Sequence, residues 1–187
     1  MLGRESWPEV DDATLVVRAQ ERDPVAFELL VRRYQHRLYR LAVQLLGDHG
    51  EAEDVVQEAF ISAWRQLPGF RGEAAFFSWM YRIVTNRCLN TTRRRRPTVP
   101  LEELGQAPSA GEKDSPEWAA AGSDLRVALE RALAGLPAGL RVCWVLREVD
   151  GLSYTQIADI VGASPDAVRG RIYRARTRLA EVMRPWQ

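Results

Sequence analysis

The chain has 187 residues, 46% of them hydrophobic and 27% charged, with a formal net charge of +1. That composition builds a folded core and excludes a disordered chain. No apolar run approaches the roughly 18 residues that cross a bilayer, and Met1 to Pro8 lacks a secretory pattern, so a cytoplasmic protein without membrane insertion is expected.

Residues 11–96 carry helical periodicity nearly throughout, in segments Asp11–Asp23, Pro24–Leu46, Asp48–Leu67 and about Phe76–Arg94. In the second of these, Phe27, Leu30, Val31, Tyr34, Leu38, Leu41, Ala42 and Leu45 recur at three- and four-residue steps, which marks one buried helical face. Pro24 fits a first helical turn and Gly47 a stop. From Pro97 to Gly122 prolines, glycines and serines interrupt every pattern, so this stretch reads as a flexible linker. Helical periodicity resumes in Leu125–Ala134, Gly139–Val149, Tyr154–Val161 and Pro165–Met183. No strand pattern or internal repeat intervenes, so the fold class is all-α, with two small helical domains at 11–96 and 123–184 joined by the 97–122 linker.

The small net charge conceals segregation. Arg82, Arg87, Arg93, Arg94, Arg95 and Arg96 form a stretch without an acid, whereas Asp48, Glu51, Glu53, Asp54 and Glu58 form an acidic block. A second basic stretch holds Arg169, Arg171, Arg174, Arg176, Arg178 and Arg184 against Glu181 alone. Such blocks suit a protein that touches a polyanion at two places and a different partner at a third.

The sharpest motif runs from Ser153 to Val168 and fits a helix-turn-helix. Ser153 and Gln156 make a capping box, Ala158 is small where two helices approach, Gly162 permits the turn, and Ser164-Pro165 opens the second helix. Val168, Ile172, Ala175 and Leu179 form that helix's buried stripe. Its other faces offer Ser164, Asp166, Arg169, Arg171, Tyr173, Arg174, Arg176 and Arg178 to DNA. Residues near the helix start, Arg169 and Arg171, are candidates for reading base edges, and the later arginines for meeting phosphates.

On the acidic helix, Ala52, Val56, Ala59, Phe60, Ala63 and Leu67 share one side, while Asp54, Gln57, Glu58 and Ile61 share the other. Further on, aromatics in Phe70 to Arg82 adjoin a glycine-containing loop and a basic helix, a combination that can hold unstacked bases. Phe76, Trp79 and Ile83 are expected in the core, which leaves the loop and the helix's basic face for DNA.

Asp54-x-x-Gln57-Glu58-x-Phe60, then Phe70-Arg-Gly, then Trp79-x-Tyr81-Arg82-Ile83 with Asn86, and the terminal Val168-Arg-x-Arg-Ile-Tyr-Arg-Ala-Arg together resemble the sigma-70 family, in its short extracytoplasmic-function (ECF) group. The resemblance covers roughly residues 11–184. It implies a non-enzymatic sigma factor that directs RNA polymerase core to promoters, with a region 2 and a region 4 domain. Asp54, Gln57, Glu58 and Ile61 would then dock on the clamp coiled coil of the polymerase largest subunit. Phe70, Arg71, Gly72, Glu73, Arg82, Asn86 and Arg87 would open and read the −10 element. The C-terminal domain would read the −35 element and meet the polymerase flap, and an anti-sigma factor is an expected partner because no sensor domain accompanies the chain. Gly170 departs from the resemblance, which leads one to expect a larger polar residue there.

A stand-alone helix-turn-helix regulator is the alternative, but residues 11–96 show no receiver-like alternation of strands and helices. No catalytic pairing involves His36 or His49, and Cys88 and Cys143 lack CxxC or metal spacing. No cofactor or metal is expected.

Overall fold

Short polar residues just outside each apolar run start most of the helices. In a computed structural model, which describes residues 10–72, 75–95 and 120–184, and of these the side chains outside 120–126, the Asp11 carboxylate accepts from the Thr14 amide at 2.7 Å and opens α1 (Asp12–Gln20). Asp23 caps α2 (Pro24–Leu46), with Pro24 in its first turn, and Gly47 ends it at φ +69°. Asp48 accepts from Glu51 N at 2.8 Å to start α3 (His49–Gln66). A single 3-10 turn, Leu67–Gly69, leads to the loop before α4 (Phe76–Arg95).

Beyond the linker come α5 (Ala120–Gly135), α6 (Ala138–Glu148), α7 (Tyr154–Val161) and α8 (Pro165–Val182). Every described regular element is a helix, so the all-α class holds. α5 starts at Ala120, inside the stretch read as linker, because Ala120 and Ala121 favour helix strongly enough to carry Gly122 with them. The rest of 97–119 lies outside the described residues.

α2 is the organising element of the first domain: α1, α3 and α4 all pack on it. Its Leu30, Leu38 and Leu41 are 0%, 0% and 1% exposed, and burying a side chain of this size stabilises by about 1.5–3 kcal/mol. In the second domain α5, α6 and α7 gather around α8, whose Val168, Ile172, Ala175 and Leu179 are all buried. Phe76 is buried as expected, but Trp79 and Ile83 are only half-buried against the cluster, since Trp79 closes over the Phe70 ring at 4.8 Å on the rim.

The two domains also touch. α7 packs along α4 and α6 along α2, so that one cluster of buried apolar residues runs from Leu15 through Met80 and Val84 to Ile157 and Ile172. The Arg141 guanidinium on α6 donates to the Leu45 carbonyl of α2 at 2.9 Å.

Candidate nucleic-acid and partner interfaces

The sidedness of α3 follows its sequence. Ala52, Val56, Ala59, Phe60 and Ala63 are buried, while Asp54, Gln57, Glu58 and Ile61 are exposed, Ile61 at 47%. A single exposed isoleucine is ordinary on a protein surface; Ile61 differs in continuing into a larger apolar feature. Beside it, α2 and α3 enclose an apolar groove of about 800 Å³ lined by Phe27, Val31, Tyr39, Phe60, Ile61 and Trp64, with Gln57 at its edge. Phe27 stands edge-on to Phe60, with ring centroids 6.4 Å apart, and 4.9 Å from Trp64. Periodicity assigned Phe27 and Val31 to the core; they are half-buried, and the groove is the part of this surface that the sequence did not disclose.

Glu58 is not isolated on this face. Its carboxylate pairs with Arg87 of α4 at 2.5 Å, so a residue of the acidic stripe and one of the basic helix hold each other. Both are partly solvated, and such a pair stabilises by well under 1 kcal/mol, so either partner is easily recruited elsewhere.

The loop before α4 is fastened from a distance. Gln20, the last residue of α1, donates from Nε2 to the Phe70 carbonyl at 2.6 Å and the Leu67 carbonyl at 3.3 Å. Phe70 is half-buried, its ring edge-on to Phe76 and tilted against Trp79. Arg71 and Gly72 are exposed, and Gly72 sits at φ +69°, a conformation costly for other residues. Glu73 lies outside the described residues. On α4, Arg82 and Asn86 are exposed and Arg87 is half-buried. Arg82 donates from Nε to the Asp159 carbonyl of α7 at 3.0 Å, with Nη2 on the same oxygen.

The 153–182 segment forms the helix-turn-helix. Both halves of the capping box are present: Gln156 N to Ser153 Oγ at 3.2 Å, and Ser153 N to Gln156 Oε1 at 2.9 Å. Gly162 ends α7 in the left-handed region, at φ +64°, and Ser164 caps α8 through Ala167 N at 3.2 Å. The outward face of α8 presents Asp166, Arg169, Tyr173 and Arg174, with Tyr173 71% exposed.

Several of these cations have internal partners. Arg169 pairs with Asp166 at 2.7 Å and lies over Tyr154, which also stacks on Arg147; Arg176 pairs with Glu148 at 2.6 Å. Arg171 is half-buried on the flank of α8, near enough to Cys143 for its charge to oppose the rise that burial imposes on that thiol. Arg174 and Arg178 are exposed. Exposed ion pairs of this kind are weak and exchange readily with other anions.

Between the domains lies a polar cleft lined by Tyr34, Arg37 and Arg40 of α2, Tyr81 of α4, and Asp150 and Gln156. One carboxylate oxygen of Asp150 is buried without a hydrogen-bond partner, and burial raises its carboxyl to about 6 against the opposing pull of Arg40 and Arg37. Sequence reading had no means of finding this cleft, because its members come from distant helices. Among the described residues, no group of His, Cys, Asp and Glu is arranged to hold a metal ion.

Exposed acidic and basic helices on one domain and a helix-turn-helix on the other define a DNA-binding protein with a separate docking face. Residues 30–98 match the family description "Sigma-70 region 2" and residues 126–179 match "Sigma-70, region 4". The RNA polymerase sigma-H factor of Pseudomonas aeruginosa is 40% identical over 182 residues, spanning 93% of this chain and 94% of the relative. The ECF RNA polymerase sigma-E factor of Escherichia coli K12 is 39% identical over 95% of this chain and 96% of its own. Among solved structures, CnrH in complex with the cytosolic domain of CnrY superposes at a TM-score of 0.72, 28% identical, over 93% of this chain and 97% of that one. The sigma factor RpoE of Bartonella quintana, in complex with the anti-sigma factor NepR, gives 0.63 at 25% identity over 84% and 96%. The chain belongs to the sigma-70 family of RNA polymerase sigma factors, in its ECF group.

Proposed function

We propose that the three surfaces divide the work of transcription initiation. The chain is an ECF sigma factor that directs RNA polymerase core to specific promoters and is regulated by an anti-sigma factor. The exposed stripe of Asp54, Gln57, Glu58 and Ile61 is the docking face for the clamp coiled coil of the largest subunit. The adjoining α2–α3 groove gives it an apolar floor, which supplies binding energy that charged rims do not. Phe70, Arg71, Gly72, Glu73, Arg82, Asn86 and Arg87 take the opened −10 element, and α8 takes the −35 element in the major groove.

Within α8, Arg169 and Arg171 are the base readers and Arg174, Arg176 and Arg178 the phosphate anchors. The polymerase flap meets the 123–184 domain, and the units are 11–96, the 97–122 linker and 123–184. The factor performs no chemistry itself; it converts binding free energy for polymerase and DNA into a held open promoter. It acts in the cytoplasm, where polymerase works, and no described helix is long and apolar enough to cross a membrane.

The observation that carries this reading is the coexistence, on one chain, of an exposed acidic-apolar docking face and a complete helix-turn-helix. Run-off transcription with polymerase core and the purified chain tests it. Core plus chain should initiate at discrete start sites on genomic fragments that core alone ignores. Specific DNA binding by the chain alone, with no initiation when core is added, would overturn it in favour of a stand-alone helix-turn-helix regulator.

A further inference from the structure

The stretch that leads from α3 into the loop before α4 is held by the C-terminal end of α1. Gln20 is half-buried there, and its side-chain amide donates to the Phe70 carbonyl at 2.6 Å and to the Leu67 carbonyl at 3.3 Å. Two residues on, Arg22 donates from Nη1 to the Trp64 carbonyl at 3.0 Å and lays its guanidinium over the Trp64 ring, 5.3 Å from the centroid. Trp64 lies in the last turn of α3, where carbonyls lack a helical partner. Gln20 and Arg22 thus secure the backbone at 64, 67 and 70, just where it leaves the helix.

Arg22 takes this position at a cost. Its φ is +68°, and among the described residues no other non-glycine has a positive φ. A glycine would sit there without strain but would bring no guanidinium.

Phe70 is fixed from three sides. Its carbonyl is held by Gln20, its amide donates to the Leu67 carbonyl at 3.0 Å, and its ring packs on Phe76 and Trp79. Arg71 and Gly72 run from this anchored residue into solvent. A segment whose root is fixed has less freedom to lose when it closes on a ligand, so its contacts discriminate more sharply.

We propose that Gln20 is a positioning residue for promoter recognition: through the Leu67 and Phe70 carbonyls it presets the loop that takes the −10 element, and so sharpens the choice among bases without touching DNA. The inference rests on the assignment of that loop to the −10 element.

The role belongs to the N–H donors of the side chain and not to its bulk. Gln20→Met keeps the length and has no donor, Gln20→Glu turns a carboxylate toward two carbonyl oxygens, and Gln20→Lys supplies donors again. Gln20 lies outside both the α3 docking face and α8, so affinity for core and preference within the −35 element report any general damage.

The test uses holoenzyme reconstituted from polymerase core and the full chain. The template is the genomic fragment that gives the strongest run-off product, with each base of its −10 and −35 elements replaced singly. Gln20→Met should lower discrimination within the −10 element by about threefold or more, the scale of one neutral hydrogen bond. Gln20→Glu should lower it at least as far, and Gln20→Lys should return it to the parent profile. Core affinity and the −35 profile should match the parent in all three. In the free chain, hydrogen exchange across 67–72 should quicken in Gln20→Met and Gln20→Glu but not in Gln20→Lys, a readout that needs no DNA.

An unchanged −10 profile in Gln20→Met, a loss shared equally by both elements, or a Gln20→Lys variant no better than Gln20→Met would each overturn the proposal. Arg71→Ala, on the loop itself, separates its failure from that of the reading beneath it. Faster exchange in Gln20→Met, with a −10 profile that neither it nor Arg71→Ala alters, would reject the loop's assignment to the −10 element and the positioning role with it.

Discussion

Gly170 is the one residue of α8 that works against its own helix. A glycine in a helix interior costs about 1 kcal/mol relative to alanine, yet a Cβ built at Gly170 meets no heavy atom within 4 Å, so packing does not demand it. It is half-buried between the exposed Asp166 and Tyr173, beside the face proposed to meet the −35 element. Gly170→Ala should therefore raise the unfolding free energy by about 1 kcal/mol in urea denaturation. An unchanged or lowered stability would mean that α8 is strained at this point. Gly162 is the opposite case: its φ of +64° makes the turn between α7 and α8, and a side chain there is strained despite open space around it.

At the scale of elements, the proposed docking face and the folding face of α3 lie on opposite sides of one helix. Its alanines and Phe60 are buried against neighbours, and Asp54 and Glu58 are exposed, so charge reversal at both should leave thermal stability nearly unchanged while weakening polymerase core binding at least tenfold. Pull-down with labelled core at several salt concentrations measures this; unaltered affinity would remove α3 from the docking face. Glu58 adds a refinement, since its reversal also breaks the pair with Arg87 and frees that cation on α4.

Much of this was legible from sequence because helices carry local signals. The Ser153–Gln156 capping box, Pro24, Gly47 and the alternating faces of α2 and α3 are set by neighbours within four positions. What sequence reading missed depends on residues far apart in the chain. The groove beside Phe27 and Trp64, the strap from Gln20 to Phe70, and the cleft around Asp150 each join segments that no short period relates. The Ala120 start of α5 was missed for a different reason: prolines and a glycine nearby outweighed a short alanine run.

For the molecule as a whole, the buried Asp150 carboxyl ties stability to pH. Burial raises it from an ordinary value of 3.8 to about 6 in the folded chain, while Arg40 and Arg37 of α2 pull the other way and Tyr34, Tyr81 and Gln156 line the remaining walls. Unfolding returns Asp150 to water, so the folded chain binds more protons in the interval between about 4 and 6. The penalty of a buried charge is fully present above pH 6 and disappears as pH falls through that interval. Asp150→Asn should therefore be more stable than the parent at pH 7 in urea denaturation, with the difference shrinking toward pH 5. A difference that stays constant between pH 7 and pH 5 would assign the dependence to another group.

Burial of the two thiols has a chemical consequence. Cys88, enclosed in the α4 packing, is pushed up to about 12, and Cys143 is raised by the same cause against the opposing pull of Arg171. At neutral pH so few of these buried thiols are ionised that peroxides and alkylating agents, which react through the thiolate, find little to attack. The native fold is therefore blind to oxidants on any timescale shorter than its own local unfolding. An oxidative stimulus would have to be received by another molecule and delivered to this one as a binding event.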